Sequence, residues 1–138
     1  MSADHALAQA LVEGLKAAPA VSALLADRVH ATTPRRPTYP CLAVSRIESR
    51  PFGGLGGGGL EGEGLEHVVT LTAVSRFGGP EEARAVVAAV RAALHEASPS
   101  IPGRRLVTLR VTYADVFRAA DRDLSLGVLR VRAVSEPL

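Results

Sequence analysis

Apolar positions recur along this chain with two periods, and the change of period marks the elements. The sharpest passage runs from Glu66 to His95. Over His67–Phe77 the residues are β-rich; Val69, Leu71 and Ala73 point one way and Thr70, Thr72 and Arg76 the other, with Val68 and Val74 interrupting a clean alternation. Gly78 and Gly79 end that strand. Pro80 suits a first helical turn, where its missing N–H costs nothing, and Glu81 and Glu82 sit at the positive end of the helix dipole. Ala83, Val86, Val87, Val90 and Leu94 then fall on one stripe of a helix, while Arg84, Arg91 and Glu96 fall outside it. A strand and a helix that each have one apolar side should close on one another, so this passage is the expected nucleus of the fold.

The same reading extends outward. Residues 3–17 form a first helix with Leu7, Leu11 and Leu15 as its stripe, beside Ala8 and Val12, and with Gln9, Glu13 and Lys16 outward. Pro19 stops it and opens a short second helix whose Val21, Leu24 and Leu25 face inward, ending near Arg28. Pro34, Pro37 and Pro40 deny their predecessors the α region, so residues 29–40 read as an extended loop in which Val29 and His30 start a short edge strand. Cys41–Glu48 reads as a strand, Leu42 and Val44 on one face and Ala43 and Ile47 on the other. Arg104–Tyr113 follows as a strand with Val107, Leu109, Val111 and Tyr113 on one side and Thr108, Arg110 and Thr112 on the other. Phe117–Asp123 reads as a polar connection. Leu124–Ser135 is the last strand, with Leu129, Val131 and Ala133 inward and Arg130 and Arg132 outward. The expected fold class is α+β: a mostly antiparallel sheet of about four strands, covered on one face by a central helix and the N-terminal helices.

Between residues 50 and 64, eight of fifteen residues are glycine. Ordering such backbone costs about 1–2 kcal/mol per residue, so this stretch reads as a mobile hairpin loop. Phe52, Leu55 and Leu60 ride on it without an evident home in the subunit's own core. The helix-free face of the sheet collects Thr70, Thr72, Thr108, Arg110, Thr112, Arg130 and Arg132 and is polar and basic. Either it is simply solvated, as one face of an antiparallel sheet often is, or it contacts an acidic partner surface or passing DNA.

Composition narrows the picture without supplying chemistry. With 138 residues, 1–138 reads as a single domain. Hydrophobic residues make up 47% but aromatics only 4%, so the core is aliphatic. The net charge of +2 is too small to argue nucleic-acid binding. One cysteine, Cys41, excludes an internal disulfide and a multi-cysteine metal site. No apolar run approaches the roughly 18 residues that span a bilayer and no secretory signal is apparent, so a cytoplasmic, soluble protein is expected. The glycine run is followed by Leu60-Glu61-Gly62-Glu63 instead of Gly-Lys-Ser/Thr and leads into a strand, which excludes a P-loop and a dinucleotide fingerprint. His5, His30, His67 and His95 have no ligand spacing, and Glu61, Glu63 and Glu66 lie on or beside a loop unsuited to preorganised acid–base work. Ser45, Ser75 and Asp115 form no recognisable triad. Neither catalysis nor a cofactor has positive support; an assembly protein fits better.

The order of these segments resembles a known family, the small tail completion or tail terminator proteins of long-tailed phages and phage-derived gene transfer agents. The resemblance is carried by "ALAQALVEGLKAAPAVSALLADRVHATTPRRPTYPCLAV", "HVVTLTAVSRFGG", "EEARAVVAAVRAALHEA" and "GRRLVTLRVTYADVFRAADRDLSLGVLRVRAVSEP", which together span nearly the whole chain. It implies a subunit, assembled in the bacterial cytoplasm, that forms a ring, typically a hexamer, on the head-proximal end of the tail tube of a virion or phage-like particle. The ring stops tube polymerisation and meets the head-completion proteins, while genomic DNA passes through its lumen without sequence-specific binding; no enzymatic activity, cofactor or membrane is implied. Arg50, Phe52, Leu55, Leu60, Arg110, Arg130 and Arg132 are the expected assembly contacts. A head–tail connector or stopper of the neck is the competing structural reading, and a small nucleic-acid-binding module, with Tyr113, Phe117 and Arg118 as its closest approach to a stacking platform, is the competing reading of another class.

Overall fold

The computed structural model describes residues 2–52, 64–76, 79–95, 97–120 and 123–138. Helix α1 (Ala3–Ala17) is capped by Ser2, whose Oγ accepts the His5 N–H at 3.0 Å, with Asp4 in its first turn and Lys16 in its last. Leu7, Leu11 and Leu15 are fully enclosed. Helix α2 (Pro19–Leu25) has its proline at the first position and ends where Ala26 takes φ 51°. Val21 and Leu25 are buried and Leu24 is half-buried. The proline loop that follows is closed at its base: Arg28 Nε donates to Pro40 O at 2.7 Å, and Leu42 N–H donates to Arg28 O at 3.0 Å. That closure lays β1 (Val29–His30) parallel to β2 (Cys41–Phe52).

β3 (Gly64–Ser75), α3 (Gly79–Leu94), β4 (Arg104–Arg118) and β5 (Ser125–Pro137) complete the chain. The sheet order is β1-β2-β3-β5-β4, and every contact except β1 with β2 is antiparallel. The α+β expectation holds, with the two-residue β1 making five strands. All three helices cover one face. Val69, Leu71, Ala73, Leu129, Val131 and Ala133 of the central strands meet Val86 and Val90 of α3 and the leucines of α1 in one core. Each valine or leucine among them contributes about 1.5–3 kcal/mol on burial. Gly127 permits a close approach of helix to sheet: a Cβ there would lie 2.5 Å from Val87 Cγ2. Ser75 Oγ donates to Glu82 Oε1 at 2.6 Å and joins the end of β3 to the first turn of α3.

Three bulges change which side chains face the core. The β2–β3 register shifts between Val44 and Arg46, and the β4–β5 register shifts between Leu106 and Thr108 and between Val111 and Tyr113. An extra residue reverses the phase of everything after it. Ile47 therefore packs on the core side with Leu42 and Val44, not opposite them. Val107 and Tyr113, expected beside Leu109 and Val111, are instead exposed. β2 and β4 also run longer than expected. Arg50 and Phe52 pair with Glu66 and Gly64, so both belong to the strand and not to a loop. Phe117 and Arg118 pair with Leu126 and Ser125, which shortens the expected polar connection. The expectations for Leu55, Leu60, Phe77, Gly78 and Glu96 lie outside the described residues.

Candidate assembly surface

The helix-free face is organised in rows that cross four strands. From one end they read Cys41–Val74–Leu126–Phe117, Ala43–Thr72–Val128–Asp115, Arg46–Thr70–Arg130–Tyr113, Glu48–Val68–Arg132–Arg110 and Arg50–Glu66–Val134–Thr108. The first row is apolar; the later rows carry the charge. Bulged Ser45 also belongs here, its Oγ donating to Thr70 O at 3.1 Å and lying 2.9 Å from Thr72 Oγ1.

Glu66 is the centre of the charged end. Its side chain is only 9% exposed and receives two guanidinium groups: Arg50 Nε and Nη2 at 2.7 Å on Oε1, and Arg132 Nε at 2.8 Å on Oε2. Charge-assisted bonds from both sides satisfy a carboxylate that burial would otherwise penalise. The bond from Arg132 is the main reason the Glu66 carboxyl is held below the ordinary glutamate range; Arg50 adds to it and desolvation opposes it. Phe52 lies 5.6 Å from the Arg132 guanidinium, and Tyr113 lies 4.8 Å from that of Arg130.

Of the residues expected at the interface, Arg50, Phe52 and Arg132 thus form one cluster, and Arg110 and Arg130 lie beside it on the same face. Arg50 and Arg132 are already neutralised within the subunit. That corrects the picture of a uniformly basic face awaiting an outside acid. Among the described residues, Arg110 and Arg130 have no carboxylate partner, and Arg110 stands directly across from Arg132. Glu66 itself is the residue that sequence reasoning undervalued. Its phase, in step with Val68 and Thr70, already placed it on this face; only the β2 register revealed Arg50 opposite.

Because its pKa is lowered in the folded state, Glu66 stabilises the fold above its unfolded value, about 4.3, and that contribution is lost as pH falls through the lower folded value. Thermal melts of the wild type should therefore decline in this acidic window, and Glu66→Gln should show a shallower decline there; parallel curves would exclude the carboxylate as a source of the acid sensitivity.

A second polar cluster lies on the helix side. His67 is fully buried, with Nδ1 2.8 Å from Asp4 Oδ1 and Nε2 2.8 Å from Ser135 Oγ. Arg104 Nε donates to the same Oγ at 2.8 Å, and Ser49 Oγ donates to Asp4 Oδ2 at 3.1 Å. The connectivity Ser–His–Asp is that of an acyl-transfer triad, and it joins residues too far apart along the chain for spacing to reveal it. Ser135, however, is 0% exposed and its oxygen is engaged by the Arg104 guanidinium. No substrate carbonyl can reach it without opening the core. The cluster ties the start of α1 to β2, β3, β4 and β5. Cys41 is likewise enclosed, and desolvation pushes its thiol pKa up, partly opposed by Arg28; this is an inert strand cysteine and not a nucleophile. Among the described residues, no helix is long and apolar enough to cross a membrane.

The family model described as "Tail completion protein gp17" matches residues 9–136. The chain belongs to this family. The tail completion fold is also seen in a solved structure titled "Virion of native gene transfer agent (GTA) particle": one of its chains is 24% identical, with a TM-score of 0.85 and 98% of each chain covered. Among curated proteins no match was found. Membership makes this a structural protein of a phage-type tail, and the charged face and buried tether are features of a tail completion subunit.

Proposed function

We propose that this tail completion protein is the tail terminator of a virion or phage-like particle: a ring of identical subunits, a hexamer by family resemblance, that caps the head-proximal end of the tail tube. Capping stops tube polymerisation and presents a surface to the head-completion proteins, while genomic DNA passes through the lumen. The function is mechanical and calls for no reaction and no cofactor. The family match across residues 9–136 carries this reading. The likeness to a chain of a gene transfer agent particle supports it.

In this reading Arg110 and Arg130, which have no carboxylate partner among the described residues, meet an acidic surface of a neighbour, while Phe52, with Leu55 and Leu60 of the glycine-rich stretch, packs against the neighbouring subunit or the tube. The double variant Arg110→Glu/Arg130→Glu should retain the wild-type circular dichroism spectrum and melting temperature within about 2 °C, because these are exposed surface positions. Producing cells should then make few joined particles and overlong tubes. Normal particles from that variant would overturn the assigned contact. Microscopy of particles carrying tagged protein tests the location: label at the upper rim of the tail tube supports the terminator, and label confined to the neck above it supports a stopper instead.

A further inference from the structure

We infer that the two outer edges of the sheet join head to tail between subunits, β2 of one copy against β4 of the next, so that the sheets of the ring form one continuous antiparallel wall. The inference deepens the ring reading above and rests on it.

Three observations carry it. First, both edges are open. β1 covers only Leu42 and Ala43, and among the described residues no strand pairs with the outer side of β2 from Val44 to Phe52. Among the described residues, no strand pairs with the outer side of β4 along its fifteen residues. Long open edges are ordinarily shielded, because their unpaired N–H and C=O groups recruit other strands. Second, the polarity fits. β2, β3, β5 and β4 are four antiparallel strands, so the two edges run in opposite directions. A copy rotated about a ring axis therefore presents its β2 antiparallel to the preceding β4, and a heterologous contact of this kind closes into a ring. Third, the side chains fit. Apart from Leu138 at the C-terminus, the exposed large hydrophobics among the described residues all lie on these two strands: Phe52 on β2, and Val107, Tyr113 and Phe117 on β4.

Charge then selects the register. Extending the sheet's own rows across the junction sets the next copy's Glu48 against Arg110 and its Arg46 against Tyr113. Glu48 is exposed and among the described residues pairs only with Arg46, at 3.3 Å, so it can serve Arg110, which has no carboxylate partner among the described residues of its own subunit. Beside this edge a groove of about 710 Å³ runs along Leu106–Val111, walled by Arg91 of α3 and by His95 just past its end, and gives the incoming strand's side chains room.

Paired cysteines test this directly. A disulfide needs Cα atoms within about 7 Å, which adjacent strands satisfy only at matched positions. Particles assembled with Glu48→Cys/Arg110→Cys should give, under oxidation without reductant, a covalent ladder that rises by one subunit at a time to the closed ring. Arg46→Cys and Arg50→Cys, each combined with Arg110→Cys, report slips of two residues either way; a ladder from any of the three pairs supports the joined edges and identifies the register. Enclosed Cys41 does not compete. Rings seen by microscopy with no ladder from any pair would overturn the edge junction and leave the ring reading standing. Dimers from Arg110→Cys alone would show β4 pairing with β4 and would also overturn it. Wild-type particles without a ring of this protein would remove both.

Discussion

Replacing His67 with alanine should lower the free energy of unfolding by about 3–5 kcal/mol. The side chain is fully enclosed and bonded at both ring nitrogens. Its loss leaves a cavity on the scale of other large-to-small core changes, about 2–5 kcal/mol, and strips buried Ser135 Oγ of a partner, at about 1–3 kcal/mol for a buried polar group left unmade, while partly exposed Asp4 loses a partner that water can replace. The two effects overlap, because the cavity lets water reach part of the broken network. Asp4→Ala should cost less, about 1–2 kcal/mol, since its carboxylate is partly exposed and water can replace it at the helix start. Urea melts of the two variants would check the order. Equal losses, or a loss below 1 kcal/mol at His67, would show that the cluster does not hold α1 to the sheet. If His67→Ala fails to fold, His67→Gln, which can still reach Ser135, should recover part of the loss.

Gly127→Val is the second large effect. The position faces α3, where an added Cβ meets Val87 Cγ2 at 2.5 Å, Ala73 Cβ at 3.5 Å and Ala83 O at 3.6 Å. Two of these contacts are ordinary; the first forces movement. Overpacking of this kind costs about 1–3 kcal/mol, and the branched side chain should place Gly127→Val at the upper end or beyond it. Gly127→Ala should cost less, because the smaller side chain collides only at Cβ and alanine restricts the unfolded chain, worth about 0.4–1 kcal/mol in its favour. The conflict is with one side chain, so Gly127→Ala/Val87→Ala should destabilise by less than the sum of its parts. An interaction energy of at least about 0.5 kcal/mol in the compensating direction is expected in a double-mutant cycle. Strict additivity would mean that the backbone of β5, and not Val87, absorbs the clash.

The tail completion subunit divides its problem between two faces of one sheet. The helix side is dry and tied together by His67; the open side is charged and internally compensated at Glu66. That compensation matters for assembly. A face whose arginines were all unpaired would repel its copies around a ring, whereas Glu66 neutralises Arg50 of β2 and Arg132 of β5 and leaves Arg110 on the edge strand β4, with Arg130 one strand inward on β5, open to the neighbour that the proposed ring would bring.

Sequence by itself determined the elements that depend on a single period. The stripe of Leu7, Leu11 and Leu15 and that of Ala83, Val86, Val87, Val90 and Leu94 define their helices and the buried side of each. The alternation of Val69, Leu71 and Ala73 defines the inward face of β3, because neighbours within one element fix one another's direction. Tertiary structure alone decided what depends on a partner strand. A bulge exists only where two residues oppose one, so the inward turn of Ile47 and the outward turn of Tyr113 were invisible until β3 and β5 took their places. Strand order brought Arg132 and Arg50 to opposite sides of Glu66, and chain closure brought Asp4 and Ser135 to His67, across separations of 63 and 68 residues. Periodicity carries no information at that range; contact between distant segments is set by packing.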